Sequence, residues 1–333
     1  MTALVNHQIH LVSRPQGEAS VDNFKMVETP VVQPGDGEVL VRNHFMSLDP
    51  YMRGRMDDVK SYTANQPLNE VMGGGTVGEV MASNNPAFAV GDFVVGGFGW
   101  QEYGISKGKD MRKVSTERIA LSAYLGCVGM PGVTAWYGLN QIIKPKSGET
   151  VVVSAASGAV GSVVGQLAKA HGCRVVGIAG GPEKCAIVTD EFGFDACVDY
   201  KAGNLEADLR AATPDGIDGN FENVGGQVFD AILNRMNAFG RIAVCGLISG
   251  YDGRGMQLSN VRSILVNRLL VQGFIVSEHM EFWPQALGEL GEAVGSGKLK
   301  YRESVAEGLA AAPQAFMGLL RGKNVGKQVV RLV

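Results

Sequence analysis

VVVSAASGAVGSVVGQLAK, residues Val151–Lys169, is the stretch whose reading decides the fold. Its opening VVVSA is a continuous apolar run, as expected of a strand covered on both faces. Val160, Val163, Val164, Leu167 and Ala168 then recur at i, i+3, i+4, i+7 and i+8, the apolar stripe of a helix. Between them lies AASGAVG, where Ala156, Gly158 and Gly161 hold the GxGxxG spacing with alanine in place of the first glycine. Small residues there permit a tight turn, let the backbone approach a pyrophosphate and let the helix pack close to the strand; the helix start offers free N–H groups. Flanked by this strand and this helix, the turn is read as a dinucleotide site on Gly158, Ala159, Val160 and Gly161 rather than as an ordinary βα connection.

The same alternation continues outward. ETVVVSA, CRVVGIA, DACVDY, GNFENV, GRIAVCGL and RLLVQGFIV are apolar strands interleaved with helical stretches such as GQVFDAILNRMN. This pattern predicts an α/β fold, a doubly wound parallel sheet of Rossmann type. Upstream, through about Val114, short extended runs (GEVLVRNHFMSL, GGGTVGEVMAS, VGDFVVGGFGW, QEYGIS) are bounded by Gly and Pro and suggest antiparallel strands of a barrel-like β domain. The tail returns to a strand in GKNVGKQVVRLV, which is expected to pair back with that β domain. The expected division is 1–122 with 311–333 for the β domain and 123–310 for the nucleotide domain, an insertion within it.

Composition narrows the partners. A chain of 333 residues with 45% hydrophobic and 19% charged residues and a formal net charge of −3 has room for two domains and gives no electrostatic reason to bind nucleic acid. No uninterrupted apolar run is long enough to span a bilayer, and the first residues lack a basic start followed by an apolar block. Cys127, Cys173, Cys185, Cys197 and Cys245 are scattered, without a CxxC pair or metal-ligand spacing with His. A reduced, cytoplasmic protein acting on a small molecule is expected.

The second strand selects the dinucleotide. Enzymes of NAD place an acid at its tip to hold the ribose 2′-hydroxyl. Here CRVVGIA ends in Gly180-Gly181-Pro182-Glu183-Lys184. Two glycines leave room for a 2′-phosphate and Lys184 can neutralise it, so NADPH is expected; the alternative gives Glu183 the acid's role and leaves Lys184 in solvent.

A β domain, an inserted nucleotide domain and a C-terminal return resemble the medium-chain dehydrogenase/reductase superfamily. Its alcohol dehydrogenases carry a catalytic zinc on Cys and His ligands. At the corresponding positions this chain reads SLDPYMRGRM (Ser47–Met56) and VMGGGTVGEV (Val71–Val80), with neither His nor Cys, so no metal site is expected. LDPYMRGRM, GMPGVTAWYGL, AASGAVGSVVGQLAKAHGCRVVGIAGGPEKC, FENVGG, GRIAVCGLISGY and GKNVGKQVV, in that order, resemble the zinc-independent leukotriene B4 12-hydroxydehydrogenase / prostaglandin reductase family, with its plant double-bond reductases and bacterial curcumin reductases.

The resemblance implies a Rossmann domain inserted in a GroES-like β-barrel domain, a homodimer, and NADPH-dependent reduction of a carbon–carbon double bond conjugated to a carbonyl. It places Lys184 and Tyr200 on the 2′-phosphate and Asn223 on a ribose side. It runs Cys245, Ile248 and Tyr251, then Phe274, Ile275 and Val276, along the nicotinamide half, and brings Asn324 to the cofactor from the C-terminal return. Tyr51 is implied in the substrate pocket where zinc ligands would otherwise stand; Arg53 and Arg55 are flexible cations able to meet an acidic substrate or solvent.

Hydride addition to the β-carbon leaves negative charge on the carbonyl oxygen, so a donor must face that oxygen and a proton must reach the α-carbon. Tyr251, just beyond the fifth strand, is the candidate catalytic donor, a role the cofactor's ribose hydroxyl could share. Two other readings are a quinone reductase of the same architecture and a non-catalytic, crystallin-like NADPH-binding protein.

Overall fold

The computed structural model describes residues 4–251 and 255–333. Asp252, Gly253 and Arg254 lie outside the described residues. The chain divides into two compact units: the residues up to Leu125 with Glu303–Val333, and Gly126–Arg302.

In the first unit the strands are β1 (Val5–Leu11), β2 (Phe24–Pro30), β3 (Val39–Ser47), β4 (Glu70–Val71), β5 (Thr76–Ser83), β6 (Phe93–Gly96), β7 (Tyr103–Ser106) and β8 (Met111–Lys113). The short helix α1 (Tyr51–Arg55) follows β3. One sheet has the order β2-β1-β4; the other, seven-stranded, incorporates the last strands of the chain, β15 (Glu303–Glu307) and β16 (Lys327–Arg331), in the order β15-β16-β3-β5-β6-β8, with β7 pairing to β3 off this path. The expected return is therefore present: β16 runs antiparallel to β3, with Val330 opposite Met46. β15 lies parallel to β16 along its whole length, which draws Glu303–Glu307 into this unit. The division thus falls at 302/303 and 125/126, where 310/311 and 122/123 were expected.

Apolar side chains from both chain ends fill this unit. Met46, Leu48, Met52, Met56 and Met72 pack with Trp100 and with Phe316 of the C-terminal helix Ala312–Leu320. The Trp100 ring stacks on Phe24 at 5.3 Å and meets Phe316 edge-on at 5.6 Å. Such aromatic pairs add about 0.5–1.5 kcal/mol each beyond the area they bury.

The second unit is built on six parallel strands, β9 (Thr150–Ser154), β10 (Arg174–Ala179), β11 (Ala196–Asp199), β12 (Ile217–Glu222), β13 (Met236–Val244) and β14 (Leu270–Gly273), in the order β11-β10-β9-β12-β13-β14. Numbered within the unit this is 3-2-1-4-5-6, the doubly wound dinucleotide-binding order. Helices α2 (Met130–Tyr137), α3 (Gly161–Ala170), α4 (Pro182–Asp190), α5 (Leu205–Ala212) and α6 (Gly226–Leu233) belong to it. Val151, Val152 and Val153 in central β9 are wholly buried, as an apolar strand covered on both faces must be.

Two elements are shorter than their apolar patterns suggest. RLLVQGFIV keeps only Leu270–Gly273 as strand, because Phe274 turns out of the sheet to pack edge-on to Phe221 at 6.2 Å and against Tyr137 at 5.4 Å. The helix in GQVFDAILNRMN stops at Leu233, because Met236 is already paired with Ile217 at the start of β13. Among the described residues no helix is long and apolar enough to cross a membrane.

Candidate active site

Because β9 to β14 are parallel, their carboxyl ends lie along one edge of the sheet. Strand order reverses beside β9, and ligands of such sheets bind beyond the carboxyl ends at that point. Most of the sequence-predicted site residues follow these ends in register: Gly158–Gly161 after β9, Lys184 after β10, Tyr200 after β11, Asn223 after β12, Cys245, Ile248 and Tyr251 after β13, and Phe274–Val276 after β14.

β9 gives way at Ala155, which takes a left-handed φ of 50°. A Cβ on Gly161 would stand 2.5 Å from the Ala155 carbonyl oxygen, so glycine is what allows α3 to begin against the strand end. Among the described residues no side chain caps α3, and Val160 is its N-cap residue. In its first turn the N–H groups of Ser162 and Val163 donate to the Gly158 and Val160 carbonyls at 3.1 Å each, and the positive end of the dipole suits a pyrophosphate.

The tip of β10 is cationic. A Cβ on Gly180 would lie 2.8 Å from the Tyr200 ring and 2.9 Å from Cε of Lys201, so this glycine is overlaid by both side chains. Burial lowers the pKa of Lys184, and the charge of Lys201 lowers it further. Two ammonium groups thus act on one another at a single strand tip. Glu183, beside Lys184, offsets part of that lowering, and Asp199, two residues before Lys201, spends Oδ1 on the backbone N–H groups of Gly181 at 2.7 Å and Lys201 at 2.9 Å. This donor set fits a 2′-phosphate: paired cations relieved by a dianion, with the neighbouring carboxylate turned to the backbone. Lys201 was not singled out from the sequence. It follows Tyr200 directly, and only the turn after β11 brings it to Lys184.

Asn223 is held rigidly. Its N–H donates to Ser154 Oγ at 2.7 Å and its side-chain amide donates to the Ser154 carbonyl at 2.8 Å. The segment after β13 hangs on this turn: the N–H groups of Ile248 and Ser249 reach the carbonyls of Asn223 and Val224 at 3.2 and 3.0 Å. Ile248–Gly250 forms a single helical turn capped by Tyr251, and the Tyr251 hydroxyl lies 3.5 Å from where a Cβ on Gly246 would be. The phenol is therefore set at the carboxyl end of β13. Cys245 shares that end, its thiol pushed up to about 12 by burial and by Glu222, so it is no nucleophile at neutral pH. After β14, Phe274 and Val276 are buried, and the Val276 carbonyl accepts Trp283 Nε1 at 3.1 Å.

Four predicted residues, Tyr51, Arg53, Arg55 and Asn324, belong to the other unit. Asn324 precedes β16 and donates to the Gly326 carbonyl at 2.8 Å. Tyr51 opens α1; burial, and then the charge of Asp49, raises its phenol pKa, while Arg55 hydrogen-bonds to it. Arg53 corrects the expectation of a flexible cation. Its side chain is 3% exposed and donates to Asp57 at 2.7 Å and to the Gly17 carbonyl at 2.6 Å, so it anchors the loop structurally.

The Ser47–Met56 segment holds a buried ion pair. Lys327 Nζ donates to Asp49 Oδ1 at 3.0 Å and to the Leu48 carbonyl at 2.6 Å, and Ser47 Oγ donates to the other Asp49 oxygen. An ammonium already neutralises this carboxylate. Among the described residues no three of His, Cys, Asp and Glu group as metal ligands.

Residues 7–114 match the family model described as the N-terminal domain of oxidoreductase, and residues 159–292 that described as zinc-binding dehydrogenase. The chain is 46% identical over 334 residues to the NADPH-dependent curcumin reductase of Escherichia coli (strain K12), covering 98% of this chain and 97% of that one. It is 44% identical over 303 residues to the 2-alkenal reductase (NADP(+)-dependent) of Nicotiana tabacum, covering 90% and 88%. The crystal structure of CurA in complex with NADPH from Vibrio vulnificus superposes with a TM-score of 0.94 at 44% identity, over 98% of this chain and 99% of that one. The chain belongs to the zinc-independent medium-chain dehydrogenase/reductases, in the branch of the prostaglandin, 2-alkenal and curcumin reductases.

Proposed function

We propose that the protein is a cytoplasmic, homodimeric enzyme that uses NADPH to reduce the C=C bond of α,β-unsaturated ketones and aldehydes. The observation that carries this reading is identity of 46% and 44%, sustained over 98% and 90% of the chain, with a curcumin reductase and a 2-alkenal reductase. When bound, the cofactor would supply a hydride to the β-carbon, and a proton from water would complete the α-carbon.

The chain's own residues do the rest. Gly158, Ala159, Val160 and Gly161 hold the pyrophosphate on the start of α3. Lys184, Tyr200 and Lys201 hold the 2′-phosphate, and Asn223 a ribose. Cys245, Ile248, Phe274, Ile275 and Val276 flank the nicotinamide half, with Asn324 contributing from the C-terminal return and Tyr51 from the substrate side. Tyr251 donates a hydrogen bond to the substrate's carbonyl oxygen as charge gathers there.

β14 supports the dimer. It is the edge strand of its sheet, with Leu270 48% and Val271 37% exposed, and Leu265 nearby at 79%. An unpaired apolar edge suits pairing with a second copy about a two-fold axis. Turnover is tested by NADPH consumption with enals, enones, dienones and quinones. Quinone turnover with none of the enals or enones would favour a quinone reductase, and saturable binding without oxidation a non-catalytic protein.

A further inference from the structure

Two of the five cysteines, used by none of these roles, meet beneath the cationic tip of β10. Cys185 lies in the first half of α4, next to Lys184, and Cys197 lies in β11, two residues before Asp199. Both are half-buried free thiols. Successive side chains of a strand point to opposite faces of its sheet. Val198 enters the core with Leu209 of α5 and Val228 of α6, so Cys197 points the other way. That way lies α4: the strand partner of Cys197 is Gly177, where a Cβ would stand 2.8 Å from Val188, one turn after Cys185.

The two thiols touch. Their side chains are hydrogen-bonded to one another, and the backbone of Ala179, the residue before Gly180, is bonded to both. The thiol–thiol bond favours the thiolate of Cys185 and opposes that of Cys197, so Cys197 is the donor and Cys185 the acceptor. An attacking thiol beside a resolving one has this polarity. Burial raises both thiols, and the Asp199 charge adds to it, which makes attack slow without changing its order.

We propose that Cys185 and Cys197 are a peroxide-driven disulfide site, and that the disulfide loosens the hold of the β10 tip on the 2′-phosphate of NADPH. The Cys185 thiolate attacks one peroxide oxygen, the O–O bond breaks, and the other oxygen leaves as water or an alcohol, giving a sulfenic acid on Cys185. The Cys197 sulfur then displaces that oxygen as water and the S–S bond forms. Two electrons pass from the thiols to the peroxide, and the two thiol protons end on the departing oxygens. A covalent S–S bond is shorter than any hydrogen bond between thiols, so α4 and β11 must close up. β11 is locked to β10 from Ala196 to Asp199, and the movement therefore falls on the first turn of α4. Lys184 rides on that turn, with Gly181, the N-cap residue at a φ of 99°, as its joint.

The inference rests on the NADPH reading, and its test separates the two. Full-length protein would be reduced, treated with hydrogen peroxide and mapped by peptide mass spectrometry. Dissociation constants for NADPH and NADH would be measured before treatment, after it, and after dithiothreitol. The expected product is a Cys185–Cys197 linked peptide. NADPH affinity should fall about tenfold, the size of one weakened charge-assisted hydrogen bond, and return with dithiothreitol, while NADH affinity stays constant. Cys197→Ser should stop at a sulfenic acid on Cys185, and Cys185→Ser should give neither a linked peptide nor a loss of NADPH affinity. Absence of the linked peptide from the treated wild type overturns the disulfide. A linked protein whose NADPH and NADH affinities shift alike overturns its action on the 2′-phosphate. Should the reduced protein bind no NADPH, the cofactor reading fails, and the mass map still decides the thiol pair.

Discussion

At the scale of single residues, Tyr251 and Lys184 probe opposite halves of the site. Tyr251→Phe removes one hydrogen bond to the developing oxyanion and should lower turnover by about 10- to 1,000-fold, with NADPH affinity little changed. Unchanged turnover on the best substrate would take Tyr251 out of the mechanism. Lys184→Ala should raise KM for NADPH and spare NADH, and Lys201→Ala should do the same, since the charge of Lys201 acts on Lys184 and its side chain lies over Gly180 at the same strand tip. Equal losses for both cofactors would refute a 2′-phosphate role. Lys184 could be put forward from the sequence because it closely follows an apolar strand whose end is marked by glycines, whereas Asn223 came only from the family resemblance. Lys201 could not: it is an ordinary charged residue until the turn after β11 folds it over Gly180.

Among the elements, the β9 turn and α3 depend on a close backbone approach at Gly161. Gly161→Ala would set a methyl group 2.5 Å from the Ala155 carbonyl oxygen, against backbone that cannot swing aside. The expected cost is about 1–3 kcal/mol, the usual range for overpacking, with a lower melting temperature and a larger loss of NADPH affinity than at Gly158, where the same approach is 3.1 Å. Equal effects at the two positions would argue against a close helix start. The parallel sheet was readable because strands covered on both faces must be continuously apolar, and Val151–Val153 are. β15 was not: ESVAE is half exposed and carries two glutamates, and only its partner β16, brought in from the chain terminus, makes it a strand. The last three residues of RLLVQGFIV misled in the other direction, since Phe274 is apolar in order to pack on Phe221 and Tyr137 and not to extend β14.

For the whole molecule, both chain ends build one unit and the nucleotide-binding unit is the sequence between them. The edge strand β14 gives the assembly its test. Val271→Lys, placing a charge on the unpaired apolar edge, should halve the mass seen by light scattering while leaving the far-ultraviolet circular dichroism unchanged; an unaltered mass would move the subunit contact elsewhere. The same whole-chain view explains how a dehydrogenase architecture is read as a double-bond reductase. Asp49 is neutralised by Lys327 in the segment where zinc enzymes of the superfamily hold their metal, and Tyr251 follows β13, where the proposed function assigns it the substrate's carbonyl oxygen. The most direct measurement follows a 2-alkenal through turnover with NADPH deuterated at the transferring position. The account predicts a saturated aldehyde with deuterium on the former β-carbon; an allylic alcohol with deuterium on the carbonyl carbon would contradict it.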